Sequence, residues 1–285
     1  MSTSLSPDSG VSSPTPFIGR LAMSEDEVFA DFAARVPLAG AVVAEVGGAF
    51  PVAMLHRHGV ARWYSVDPNR VAQVDPSGVR EVLAVGAEDL PLPDASVDAV
   101  FSCNAFQFVD IGPTLLQAAR VLRPGGVLYA HFGPIWSAVD GHQLEYTSYD
   151  GRDLTFWDDT LLPPWSHLLY TREELRALLC TGVDEGLAEV LVTHVHDSAT
   201  VNRAFFEDYV AAALASGLEW LEVATSDHLD YEITPPDYDP ALTRPVDLAA
   251  LASGVSARRG APTRLGVRDV LMVLRKPAYL QESHE

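Results

Sequence analysis

The spacing of apolar and polar residues changes period several times along this chain. After Ser24, the stretch EDEVFADFAARV puts acids in its first turn and apolar residues at Val28, Phe29, Phe32 and Val36. That is the pattern of an N-capped amphipathic helix. Short apolar runs follow at residues 41–46, 63–66, 81–85, 99–103 and 127–132, each read as a strand. Residues 51–58 and 114–122 carry helical spacing, and Pro124-Gly125-Gly126 breaks the second of these. Short strands alternating with helices predict right-handed crossovers and a mostly parallel sheet covered on both faces.

From residue 133 to about residue 200 the periodicity dissolves into a stretch rich in aromatics, among them Trp136, Tyr146, Tyr149 and Trp165, with His142 and His167 between them. One helix stands out, REELRALLC after the cap Thr171. Regularity returns with a helix over 203–215, a strand near 218–223 and a last strand over 267–274. Stretches of this length inside a compact α/β domain usually serve as lids or binding loops. Residues 133–200 are therefore expected to form an aromatic-rich lid inserted into one domain spanning 21–285, with too little periodic pattern for a core of its own. Residues 1–20, rich in Ser and Pro at their start, are expected to be a disordered tail and an entry segment.

Charge narrows the function classes. Asp and Glu number 39 against 19 Lys and Arg, a formal net charge of −20. Nucleic acid is bound chiefly by cations that neutralise phosphates, so neither a nucleic acid nor an anionic membrane is the expected partner. The two cysteines, Cys103 and Cys180, form no metal-binding spacing and fit a reducing cytoplasm. The first sixteen residues lack the basic and apolar regions of a signal peptide. No apolar run approaches the roughly 18 residues of a membrane-spanning helix. A cytoplasmic location is expected.

The first strand ends in Glu45-Val46-Gly47-Gly48-Ala49-Phe50-Pro51, and the second ends at Asp67, twenty residues after Gly47. Glycines at a strand-to-helix turn let backbone approach a ligand, and an acid about twenty residues on can accept two bonds from a ribose. The same residues also make an ordinary βα turn with a solvated Asp. Farther along stand GAEDLPLPDASVD at 86–98, AVFSCNAFQFVD at 99–110 and ARVLRPGG at 119–126. In this order and spacing, residues 41–132 resemble class I S-adenosylmethionine-dependent methyltransferases of the small-molecule type, with a weaker echo in LGVRDVLMVLRKP near the end.

The resemblance implies a doubly wound, Rossmann-like, mostly parallel seven-stranded sheet with S-adenosylmethionine as cofactor. Glu45, Gly47 and Gly48 would lie by the methionine moiety, Asp67 would hold the ribose, Ala87 and Glu88 would edge the adenine, and Asn104 would face the sulfonium. The glycine motif is degenerate: Ala49 and Pro51 stand where the family has its second and third glycines. Gly86 stands where an acid is common, and Phe108 where a histidine is common.

Methyl transfer needs an aligned nucleophile, excluded water and sometimes a base. His142 and His167 are the candidate catalytic bases. His194 and His196 would share a face in a strand, but no third ligand accompanies them, so no metal is expected. The expected activity is methyl transfer to a small-molecule acceptor, in specialised metabolism. The alternative keeps the fold without methyl transfer, as a cyclase, an eliminase or a binding partner. Oligomeric state is left open.

Overall fold

A computed structural model describes residues 24–278. The tail expected over residues 1–20 lies outside them. The elements in chain order are α1 (Glu25–Arg35), β1 (Val42–Val46), α2 (Val52–Arg57), β2 (Arg62–Val66), β3 (Gln73–Val74), β4 (Arg80–Leu83), β5 (Val97–Cys103), a 3-10 turn (Phe106–Phe108), α3 (Ile111–Val121), β6 (Leu122–Phe132), β7 (Thr147–Tyr149), β8 (Arg152–Leu154), α4 (Ser166–Leu169), α5 (Arg172–Leu179), α6 (Glu185–His196), α7 (Phe206–Ala215), β9 (Glu219–Ser226), α8 (Leu248–Arg259) and β10 (Asp269–Arg275).

The chain divides into two compact units. The first holds the described residues up to Phe132, with Ala212–Ala224 and those from Leu271 onward; the second holds Gly133–Ala211 and Thr225–Val270. The main sheet runs β3-β4-β2-β1-β5-β6-β10-β9. The pairs β1·β2, β1·β5, β2·β4 and β5·β6 are parallel. Strand order thus reverses beside β1, as in doubly wound folds. The sheet has eight strands rather than the expected seven. The addition, β3, is a two-residue edge strand antiparallel to β4.

Helix α1 begins as its sequence predicts. Ser24 Oγ accepts from Glu27 N–H while the Glu27 carboxylate accepts from Ser24 N–H, which satisfies two otherwise free amides. Its buried face brings Phe29 and Phe32 onto Phe50, Trp63, Phe101 and Tyr129. Phe29 stacks on Phe50 at 4.7 Å, and Phe101 lies parallel to Tyr129 at 6.0 Å. The same helix buries Arg35, which donates to Asp31 at 2.7 Å and to Glu222 at 2.6 Å, while Tyr129 Oη donates to Asp31 at 2.8 Å. A buried guanidinium is tolerable only when paired in this way.

The second unit corrects one expectation: it has its own core. Leu144, Leu154, Leu175, Leu178, Leu191 and Val192 pack together, and Tyr238 joins them. Two features escaped the sequence reading. Helix α6, capped by Asp184, carries Val190, Val192, Thr193 and Val195, β-branched residues that favour strands intrinsically. The β7–β8 hairpin turns on Asp150-Gly151, both at positive φ, and carries its own two-residue turn signal. The unit starts at Gly133 but extends well past residue 200, because residues 225–270 belong to it as well. Among the described residues, no helix is long and apolar enough to cross a membrane.

Candidate functional site

The register of the sheet places Val46 beside Val66 and Ser102, and Val66 beside Leu83. Every strand of this group therefore ends at one edge. The residues that follow them, Gly47 and Gly48, Asp67, the 84–88 loop and Asn104, all lie along the carboxyl edge at the point where strand order reverses. That is where open α/β sheets hold ligands.

Gly47 and Gly48 turn the chain away from β1 with φ of +74° and +88°. A side chain at Gly47 would overlap the Ala105 methyl, and one at Gly48 would lie 2.8 Å from Glu45 Oε1. Both positions need glycine, for backbone conformation and for room. Gly47 N–H donates to Val66 O at 2.9 Å, and Ser102 Oγ donates to Val46 O at 3.0 Å, so the strand end is tied on both sides.

Glu45 does not face the edge. Its side chain points beneath the glycine turn, where Oε2 accepts from Trp63 Nε1 at 2.6 Å, Ser65 Oγ at 2.7 Å and Phe50 N–H at 3.3 Å. Burial pushes its carboxyl up to about 7, and the bonds from Ser65, Trp63 and Phe50 only partly offset this. Glu45 thus supports the turn from below.

Asp67 does face the edge. Oδ1 accepts from Asn69 N–H at 2.9 Å, which closes an Asx turn, and Oδ2 accepts from Arg70 Nε at 3.1 Å. The side chain keeps 18% of its surface exposed, and each oxygen retains acceptor capacity.

In the 84–88 loop, Ala87 is buried, and Glu88 Oε1 accepts from Asp110 N–H at 2.8 Å at the start of α3. The other Glu88 oxygen folds over Gly86, where a side chain would collide with it. Asn104 is exposed at φ +51°, and its backbone N–H donates to His131 O at 2.8 Å.

Two residues at this edge escaped the sequence reading. Arg70 lies three residues past the strand-end acid, a spacing that in hindsight hints at their pairing. Arg80 reaches across thirty residues, with Nη1 donating to Phe50 O at 2.9 Å and to Ala49 O at 3.3 Å. Nothing in linear spacing announces that contact. It holds the carbonyls of the segment where Ala49 and Pro51 replace glycines.

The two candidate bases lie in the second unit, buried, with rings 6.0 Å apart. His142 Nδ1 accepts from Leu144 N–H at 3.2 Å, so the proton of the neutral ring sits on Nε2. His167 Nε2 lies 2.9 Å from Trp136 O and therefore carries the proton. Its Nδ1 is buried and has no hydrogen-bond partner. Burial, with the charges of His167 and His194, holds His142 well below the usual histidine range; burial brings His167 down to about 4. His194 and His196 lie on α6 rather than in a strand, so they do not share a face. His194 Nε2 instead lies 2.8 Å from His142 O. Among the described residues no cluster of acids, histidines and cysteines has the makings of a metal site.

The residues fit an adenosine-containing group on two counts, the backbone cradle that only glycine permits at 47–48 and the partly exposed acceptor at Asp67. They do not place Glu45 in contact with such a group.

Comparison with known proteins bears on the same segment. Residues 45–130 match the family described as "Methyltransferase domain". An uncharacterized methyltransferase of Mycobacterium tuberculosis is 43% identical over 70 residues, which cover 24% of this chain and 27% of that protein. A malonyl-[acyl-carrier protein] O-methyltransferase of Methylococcus capsulatus is 45% identical over 71 residues, covering 21% and 26%. The matched segment spans about a quarter of the length of these relatives. A solved S-adenosylmethionine-dependent methyltransferase of Mesorhizobium loti aligns with 84% of this chain and 92% of its own at 14% identity and a TM-score of 0.43. The segment 45–130, which carries the motifs along the strand ends, is thus similar to a methyltransferase domain.

Proposed function

We propose that this protein binds S-adenosylmethionine at the carboxyl ends of β1 and β2 and transfers its methyl group to a small-molecule acceptor in the cytoplasm, in specialised metabolism. One observation carries the reading: the Gly47-Gly48 turn and the Asp67 carboxylate stand side by side at the strand-order reversal, inside the segment that matches the methyltransferase family. The turn offers backbone to the methionine portion, and Asp67 accepts from the ribose hydroxyls. Ala87 borders the adenine. Glu45 and Glu88 act on the loops that hold the ligand, Glu45 from beneath the glycine turn and Glu88 through Asp110 N–H. Asn104 lies at the end of β5 on the sulfonium side. The cofactor supplies an electrophilic methyl on a cationic sulfur, and the chain supplies orientation and exclusion of water.

A small acceptor is favoured over nucleic acid by the net charge of −20, which opposes a polyanion. Where the acceptor must lose a proton, His167 is the better base of the pair, because its Nδ1 lone pair is unshared whereas that of His142 is already taken. The test is product formation. Incubation with S-adenosylmethionine and fractionated cell extract is expected to release S-adenosylhomocysteine together with a methylated small molecule. Tight cofactor binding without release in any fraction favours the non-methylating alternative, and methylation confined to macromolecular fractions overturns the small-acceptor assignment.

A further inference from the structure

At the start of the second unit, residues 135–143 close on themselves. Ala138 N–H donates to Ile135 O at 2.9 Å, Gly141 N–H to Ala138 O at 3.2 Å and Gln143 N–H to Asp140 O at 2.9 Å. Gly141 packs on the carbonyls of Ile135 and Trp136, where a side chain would collide. This turn holds His167 at two points. Trp136 O accepts from His167 Nε2–H at 2.9 Å, and Val139 O accepts from Trp165 N–H at 2.9 Å at the start of α4. The Trp136 carbonyl therefore keeps the proton on Nε2 and leaves the Nδ1 lone pair of the neutral ring unshared.

Arg268, the residue before β10, clamps both ends of the turn. Its carbonyl accepts from Ile135 N–H at 2.9 Å, and its Nε donates to Asp140 Oδ2 at 2.9 Å. Tyr231 Oη donates to the same oxygen at 2.7 Å, and Arg268 Nη1 donates to Asp269 Oδ1 at 2.9 Å. The side chains of Arg268 and Asp140 are 7% and 1% exposed. Asp140 Oδ1 and Asp269 Oδ2 are buried with no hydrogen-bond partner among the described residues. An ion pair of this kind is a poor source of net stability, because desolvation of the charges offsets their attraction. What it adds is a single geometry for the turn.

Resting on the reading of His167 as the base, we infer that Arg268 and Asp140 are positioning residues: by fixing the 135–143 turn they hold Trp136 O against His167 Nε2 and keep Nδ1 available to the acceptor proton. Both act through the Trp136 carbonyl.

The ring nitrogens of His167 report this without a substrate. Isotope-labelled wild type, Asp140→Ala, Asp140→Asn and the control Leu191→Ala are compared by long-range proton–nitrogen correlation, with the His167 signals identified by their loss in His167→Gln. The wild type is expected to show a protonated Nε2 and a free Nδ1, well separated in shift. In Asp140→Ala the ring is released to exchange tautomers, and the two signals are expected to move toward each other. Asp140→Asn keeps an oxygen for Arg268 and Tyr231 and is expected to retain most of the separation. Leu191→Ala loosens the core of the same unit and is expected to leave it unchanged. If Asp140→Ala does not fold, Tyr231→Phe, which removes one bond to Asp140 Oδ2, is read in its place, with a smaller movement in the same direction expected. Unmoved signals in the folded variant, an equal movement in Leu191→Ala, or a wild-type proton on Nδ1 overturns the inference. Signals that move as expected, while His167→Gln still releases S-adenosylhomocysteine at the wild-type rate from S-adenosylmethionine and cell extract, overturn instead the base reading on which the inference rests.

Discussion

At the scale of single residues, each unit holds an ionisable group whose burial makes a prediction about pH, and the two predictions are opposite. Glu45 keeps its proton up to about pH 7 in the folded protein, whereas an unfolded Glu loses it near about 4.3. Between these values the folded state binds more protons, so the contribution of Glu45 to stability is present at low pH and lost as pH rises through about 7. Glu45→Gln keeps an acceptor beneath the turn and is expected to flatten that loss. Urea midpoints of wild type and variant, compared from about pH 4 to 8, check this. Parallel curves would mean that Glu45 is ionised throughout. His167 has the reverse sign. Its folded value of about 4 lies below the unfolded value of about 6.5, so stability falls as pH drops through that window. In His167→Gln, with an amide to donate to Trp136 O, the acid loss is predicted to shrink. An unchanged acid limb would place the proton uptake elsewhere.

At the scale of elements, the glycine turn illustrates what sequence reveals and what it hides. The strand, the glycine pair and the acid twenty residues on were all legible, because they follow from local period and spacing. The direction of Glu45 was not, since only the fold brings Trp63 and Ser65 beneath the turn. Nor was the grip of Arg80 on the carbonyls of Ala49 and Phe50. That grip steadies a turn short of glycines. Arg80→Gln is expected to weaken S-adenosylmethionine binding by about 0.5–1.5 kcal/mol, the typical worth of a hydrogen bond, with little change in thermal midpoint. A large fall in stability with undiminished affinity would assign Arg80 to the fold instead. Helix α6 was missed for a different reason. Its valines and threonine favour strands intrinsically, and packing of Ala188, Leu191, Val192 and Val195 decided the outcome.

At the scale of the whole molecule, sheet and segment order were read from the chain, while the second core was not. Segments far apart in sequence complete that core, and such pairings leave no local signature. Two cores predict two unfolding events. Gly47→Ala strains a positive-φ turn in the first unit, at a cost of about 1–3 kcal/mol, and Leu191→Ala leaves a cavity in the second, at about 2–5 kcal/mol. In scanning calorimetry each is expected to lower a different transition. A single transition lowered alike by both would show that the units unfold together.

The account stands most directly on Asp67, whose carboxylate is assigned to the ribose. Asp67→Asn retains an oxygen for the turn with Asn69 but removes the charge, so loop shape and ligand contact are separated. Titration of the two proteins with S-adenosylmethionine measures the difference. The prediction is saturable binding by the wild type and a loss of about 1–3 kcal/mol in Asp67→Asn, as expected for charge-assisted hydrogen bonds. Equal affinity in the two proteins, or no binding by the wild type, would contradict it.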